Sequence, residues 1–265
     1  MNIKKIAILA AVAGSLSGWN ASAQFAYSAG DLLMGFRSTT STSTLVVDLG
    51  SASTYLNASS AFTVSAFTPT QLTTTFGSLN NLYFSVFGNA NGTSLGLPLN
   101  SLWLTQQRAV ATTQTTPKSS LSETAQGNVV SRLDAIANAA QGTTLGQIVL
   151  SPTVVKENTA MTASYAANIT VTGNTGVKGN IQGTWGKYAV EGLTTATFDT
   201  DSTPIVLDLY QQDPTATGQY LGSFSLANDG TLTFTPVAVP EPGAMALVGA
   251  GLLALASVRQ FRGKK

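Results

Sequence analysis

The chain of 265 residues contains no cysteine and no histidine. The first absence excludes a disulfide framework, a thiolate nucleophile and an iron–sulfur site. Without either residue no structural zinc site of the usual kind forms, and a Ser-His-Asp triad is ruled out. Charge is scarce as well, at 9% of residues against a usual ~25%. The formal net charge is +1, but its distribution says more. Between Gln24 and Val239 stand seven basic and eleven acidic residues, a balance of −4, and the remaining basic residues sit at the two ends. Nothing in that interior supplies the clustered Lys and Arg that nucleic acid needs, so no nucleic-acid partner is expected.

What fills the polar share is threonine. All 37 lie between the two ends. A β-branched side chain suits a pleated surface and hydrogen-bonds without adding charge. Strand-like runs recur at 31–37, 44–50, 81–88, 101–108, 146–152, 163–173, 204–212, 220–227 and 231–238, each mixing β-branched or aromatic residues with polar ones. Asn228-Asp229-Gly230 supplies the positive φ of a tight hairpin turn. One segment has a different period. From 121 to 140, Val129, Val130, Leu133, Ile136, Ala137 and Ala140 recur at three- and four-residue spacing, with Ser120 as cap and Glu123 completing a capping box. The expected fold is therefore mainly β: an antiparallel β-sandwich or jelly-roll-like body crossed by one amphipathic helix. Phe62, Phe67, Phe76, Phe84, Trp103, Trp185, Phe198 and Phe224 are the core candidates. The Thr/Ser-rich stretches 38–44 and 112–120 read as flexible loops or linkers.

The two ends read as targeting segments. Lys4 and Lys5 precede an apolar core from Ile6 to Leu16, and Ala21-Ser22-Ala23 forms an A-x-A site with cleavage before Gln24. This is a signal peptide spanning 1–23, with the Sec machinery and signal peptidase as its partners. At the other end, Pro240 and Pro242 flank Glu241 and hold the backbone extended. From Ala244 to Val258 every residue is apolar or small. As a helix these 15 residues reach about 22 Å, short of a ~30 Å hydrocarbon core, which suits a transient inner-membrane anchor. Arg259, Arg262, Lys264 and Lys265 follow, and they stay cytoplasmic by the positive-inside rule. The body, 24–238, is thereby placed across the membrane, in agreement with the signal peptide.

Pro-Glu-Pro, a short apolar span and a basic end, in that order over 239–265, resemble the PEP-CTERM sorting signal of Gram-negative bacteria. The sorting residues are Pro240, Glu241, Pro242, Arg259 and Arg262, although the basic cluster is diluted by Gln260, Phe261 and Gly263. The resemblance implies cleavage near the Pro-Glu-Pro by an exosortase, a membrane enzyme that carries its own nucleophile, and release to the cell surface or polysaccharide matrix. "GDLLMGFR", "LDLYQQ" and "YLGSFSLANDGTLTF" before "VPEP" also resemble small exported proteins with this tail, for which no activity is established.

Three functions for the body follow. The first is a noncatalytic surface or matrix protein, with no cofactor and with O-glycans on its Thr/Ser stretches. The second is a carbohydrate-binding module that docks in exopolysaccharide. It needs exposed aromatics on one sheet face, drawn from Trp103, Trp185, Tyr188 and Tyr210, with Trp185 and Tyr188 the favoured contacts. The third is a carboxylate glycoside hydrolase built on Asp199, Asp201, Asp208 and Asp213. No catalytic residue is assigned. Asp199 and Asp201 are the weak candidates for calcium, in a segment that lacks the glycine and terminal glutamate of an EF-hand loop.

Overall fold

The structure is a computed structural model that describes residues 24–90, 95–119, 121–142, 146–169, 189–214 and 216–237. The expected signal helix and the expected membrane helix at 244–258 lie outside the described residues. Eleven strands form one antiparallel sheet: β1 (Asp31–Ser38), β2 (Ser43–Ser51), β3 (Phe62–Val64), β4 (Leu82–Asn89), β5 (Leu102–Gln107), β6 (Ile148–Ser151), β7 (Val154–Asn158), β8 (Gly192–Leu193), β9 (Ile205–Gln212), β10 (Gln219–Leu226) and β11 (Leu232–Pro236). Their order is β3-β11-β10-β9-β5-β4-β1-β2-β7-β6, with β8 added against β4. Among the described residues four α-helices accompany them: α1 (Ala52–Leu56), α2 (Pro69–Phe76), α3 (Glu123–Gln141) and α4 (Tyr165–Ile169). The body is mainly β with one long amphipathic helix, as the residue pattern requires.

The sheet curls, and the curl explains its composition. A flat sheet with one wet face alternates apolar and polar residues. Here all eight residues of β4 are buried, as are seven of the eight in β1. The inner face gathers Met34, Phe36, Val47, Phe84, Val86, Trp103, Leu207, Leu209, Phe224 and Phe234 into one core. Strands from both ends of the sheet contribute to it, because α1 packs between β2 on one side and β10 and β11 on the other. Tyr55 of α1 packs its ring against Phe62 and Phe224 at a tilt and against Phe234 edge-to-face, with centroids 5.1–5.6 Å apart. The Thr153 hydroxyl, in the β6–β7 turn, donates to the Ala66 carbonyl just past β3 at 2.6 Å. A single sheet folded over itself thus supplies both layers of the core.

The outer face is covered by helices. Val129, Val130, Leu133, Ile136, Ala137 and Ala140, the whole periodic set, turn inward from α3 onto Leu33, Val46, Phe87, Leu102 and Val155. The cap is Ser122, whose hydroxyl accepts the Ala125 N–H at 3.3 Å, and not Ser120, which lies outside the described residues. The stretch 163–173, expected as a strand, contains α4 instead; residues 170–173 lie outside the described residues. The reason is the ring of Tyr165. It stacks on Phe87 at 5.7 Å and lies over Gly35, where a Cβ would collide with it. That placement needs the chain to cross the sheet rather than to join it. Of the core candidates, Phe67, Phe84, Trp103, Phe198 and Phe224 are buried, while Phe62 and Phe76 pack at the core's margin. Trp185 lies outside the described residues.

The Thr-rich stretch 112–119 is no linker. The Thr115 N–H and hydroxyl both donate to Asp208 Oδ2, at 2.7 and 3.0 Å, and the Arg108 side chain pairs with Asp208 Oδ1 at 2.7 Å. The carboxylate on β9 ties this strap across the outer face. The stretch 38–44 closes the β1–β2 hairpin.

Register places both ends of the body on one rim. Pro236 stands opposite Gly222, Gln219 opposite Gln211, and Gln212 opposite Leu102. Leu102 is opposite Asn89, Phe87 opposite Leu33, and Asp31 opposite Ser51. The end of β11 and the start of β1 therefore share a rim with the β4–β5 connection and the β6–β7 turn.

Replacing Gly35 with Ala tests the packing that fixes α4. The added methyl drives Tyr165 off the sheet, and urea unfolding is expected to show a loss of about 1–3 kcal/mol. An unchanged midpoint contradicts the packing.

Candidate functional site

A belt of polar groups runs beneath α4, on the outer face. The Arg37 side chain donates to both carboxylate oxygens of Glu191, at 2.8 and 2.5 Å, and both side chains are fully buried. The guanidinium lies over the Tyr83 ring at 4.2 Å, on the residue paired with it across β1 and β4. The Tyr165 hydroxyl donates to Glu191 Oε1 at 2.9 Å and meets Ser85 Oγ at 2.8 Å. Burial, and then the negative charge of Glu191, hold the Tyr165 phenol well above its ordinary range. The belt continues through Glu157, which accepts from the Tyr165 N–H at 3.1 Å and from Thr44, its partner across β2 and β7. Burial raises Glu157 from an ordinary 4.5 to about 7. These groups bind one another, and their alternation with apolar neighbours on the same strands hides them in a strand reading.

A cleft of about 440 Å³ opens where β3 approaches the end of β2. Asp48, Tyr55, Phe62, Ser65 and Thr153 are among the residues lining it. Burial, opposed by the Gly50 N–H at 2.8 Å and reinforced by nearby Asp31, raises Asp48 to about 6.

The acidic residues singled out in the sequence are dispersed. Asp199 accepts from the Ser78 hydroxyl at 2.7 Å and from the Leu79 N–H at 2.9 Å, which pins the turn before β4. Asp201 accepts from Thr203 N–H, Asp213 from Ser101 Oγ, and Asp208 holds the strap. Among the described residues no three acidic side chains gather as a metal site. Trp103 and Tyr210 are fully buried and offer no face to a sugar. Trp185 and Tyr188, the favoured sugar contacts, lie outside the described residues, as do Ala21 and Ala23. Gln24 is exposed beside Phe25, which is buried under α3, and the Ala26 N–H donates to the Pro152 carbonyl at 2.8 Å. At the other end the Val237 N–H donates to the Leu221 carbonyl at 3.0 Å. The sorting residues Pro240, Glu241, Pro242, Arg259 and Arg262 lie outside the described residues.

The molecule is thus a curled β-body whose last strand, β11, is followed in the sequence by its C-terminal segment. Residues 238–262 of that segment match the family model of the PEP-CTERM protein-sorting motif. The chain carries this motif, which implies an exported, exosortase-sorted protein held transiently in the membrane before processing. No curated protein and no solved structure matches the chain.

Two outcomes test the belt. Removing one partner of the buried pair, Glu191→Ala, is expected to cost roughly 3–5 kcal/mol in denaturant unfolding, because the guanidinium is left buried without its carboxylate. A cost below about 1 kcal/mol contradicts it. The second outcome concerns pH. Glu157 binds its proton more tightly folded than unfolded, so its stabilising effect is complete below 4.5 and is lost as pH rises to about 7. Stability of Glu157→Gln, measured between pH 4.5 and 8, is expected to fall less steeply with rising pH than that of the parent chain. Parallel curves contradict the assignment.

Proposed function

We propose that this chain is a noncatalytic component of the cell surface or extracellular polysaccharide matrix, delivered by the Sec route and freed from its membrane anchor by an exosortase. The observation that carries the reading is the sorting motif at 238–262, which begins one residue past Val237. In this reading the chain divides into a signal peptide at 1–23, a folded body at 24–238 and a sorting segment from 239.

The chemistry of the body supports a role without catalysis. Three of its carboxylates hold the fold: Asp208 on the strap, Asp199 on a turn, Glu191 on Arg37. A glycosidase needs two carboxylates free to face a sugar from opposite sides. A carbohydrate-binding module is the alternative, and it rests on Trp185 and Tyr188, since Trp103 and Tyr210 are buried in the fold.

Changing Pro240, Glu241 and Pro242 together to alanine tests the proposal. Fractionation of cells with the exosortase pathway is expected to show the altered chain retained in the membrane at full length. The parent is expected in the surface or extracellular fraction. Equal release of both chains contradicts the reading.

A further inference from the structure

The same rim carries more than the two chain ends. Among the described residues, five large apolar side chains are well exposed: Leu99, Val110, Ile148, Leu150 and Val237. Three of them stand on the rim. Leu99, the most exposed at 60%, sits in the β4–β5 connection, where the Ser101 N–H turns back to the Pro98 carbonyl. Leu150 lies next to the β6–β7 turn, and Val237 directly follows β11. In strand order they are separated by about four steps each, roughly 20 Å along the sheet at ~4.8 Å per strand. Three points so spaced around a curled sheet define a plane. Of the basic side chains near this rim, Lys118, whose carbonyl accepts from Gly218, is buried, and Arg132 is exposed on α3, whose Asp134 accepts from Asn89 at the rim end of β4. Asp31 and Asp213 are turned into hydrogen bonds with Ser28 and Ser101.

Chain length brings this plane to the membrane. Ala244, where the apolar run begins, is seven steps along the chain from Val237, a reach of at most about 25 Å. At the other end buried Phe25 is nine steps along the chain from Leu16, at most about 32 Å. Both tethers leave from the rim, so a body held by either one faces the bilayer with that rim. An apolar side chain exposed there gains an apolar environment at the lipid interface and loses nothing by leaving water.

We propose that the anchored form rests rim-down on the inner membrane, with Leu99, Leu150 and Val237 as three contacts on the lipid surface. The Pro-Glu-Pro segment is then presented beside the bilayer at the height of a membrane-embedded protease. Ile148 lies two residues back along β6, away from the plane, and Val110 lies past the end of β5 on the opposite rim. The proposal rests on the transient anchoring read from the sorting motif.

The chain has no cysteine, so single-cysteine variants report without background. The full chain with both ends intact would be reconstituted in phosphatidylethanolamine–phosphatidylglycerol vesicles containing nitroxide-labelled lipid. A fluorophore would be placed at Leu99→Cys, Leu150→Cys or Val110→Cys, with a thermal melt to establish that each variant folds. Val237 is too close to the anchor to discriminate. The expected result is that the chain floats with the vesicles and that lipid quenches the labels at 99 and 150 several-fold more than the label at 110. Flotation with equal quenching at all three positions overturns the rim-down placement and leaves the anchor standing. Failure to float overturns both.

Discussion

Burying both faces of one sheet is the constraint from which the rest of the structure follows. A strand with water on one side can place its polar residues there. The central strands β1 and β4 have no such side, since α3 and α4 cover the outer face and the curl covers the inner one. A polar side chain buried on the outer face is stable only with a partner within the protein, because an unpaired buried group carries the full cost of losing water. Arg37 and Glu191, Tyr165 and Ser85, and Asp208 with the strap at 108–115 are the solutions this sequence uses. The scarcity of charge in the composition fits this constraint: three of the body's ionised groups, Arg37, Glu191 and Asp208, are buried in its outer layer and bound there.

Threonine fits this arrangement at several levels. Thr44, Thr105 and Thr194 are buried in or beside strands, and their hydroxyls hydrogen-bond without bringing a charge that needs neutralising. Thr68 caps α2 and completes a capping box with Gln71. Thr115 and Thr153 make long-range ties, one from the strap to Asp208 on β9 and one across the closing gap of the sheet. A chain that folds outside the cytosol without disulfides gains its cross-links from such contacts.

Much of this was legible in the residues. The hairpin at Asn228–Gly230 forms with Gly230 at φ 85°, and eight of the nine strand-like runs overlap observed strands. The long helix presents the six residues its period selected. What escaped was short or depended on distant partners. The strand β3 has three residues and β8 two, too few for alternation to register. The run containing Tyr165 has strand chemistry, yet a ring that needs the bare surface of Gly35 overrides it. The strap looked like a linker because its threonines reveal a role only when Asp208 is brought to them by register. The sorting motif at 238–262 was the most legible part of the chain, because order along the sequence defines it and no folding is needed to bring its parts together.

The central claim is that a folded β-body is exported, held by its tail and cut free beside Pro-Glu-Pro. Intact mass of the protein recovered from the extracellular fraction tests it most directly. The account predicts a species that begins at Gln24 and has lost the apolar run with Lys264 and Lys265, with any glycan as added mass. A released species that still carries those two lysines contradicts it.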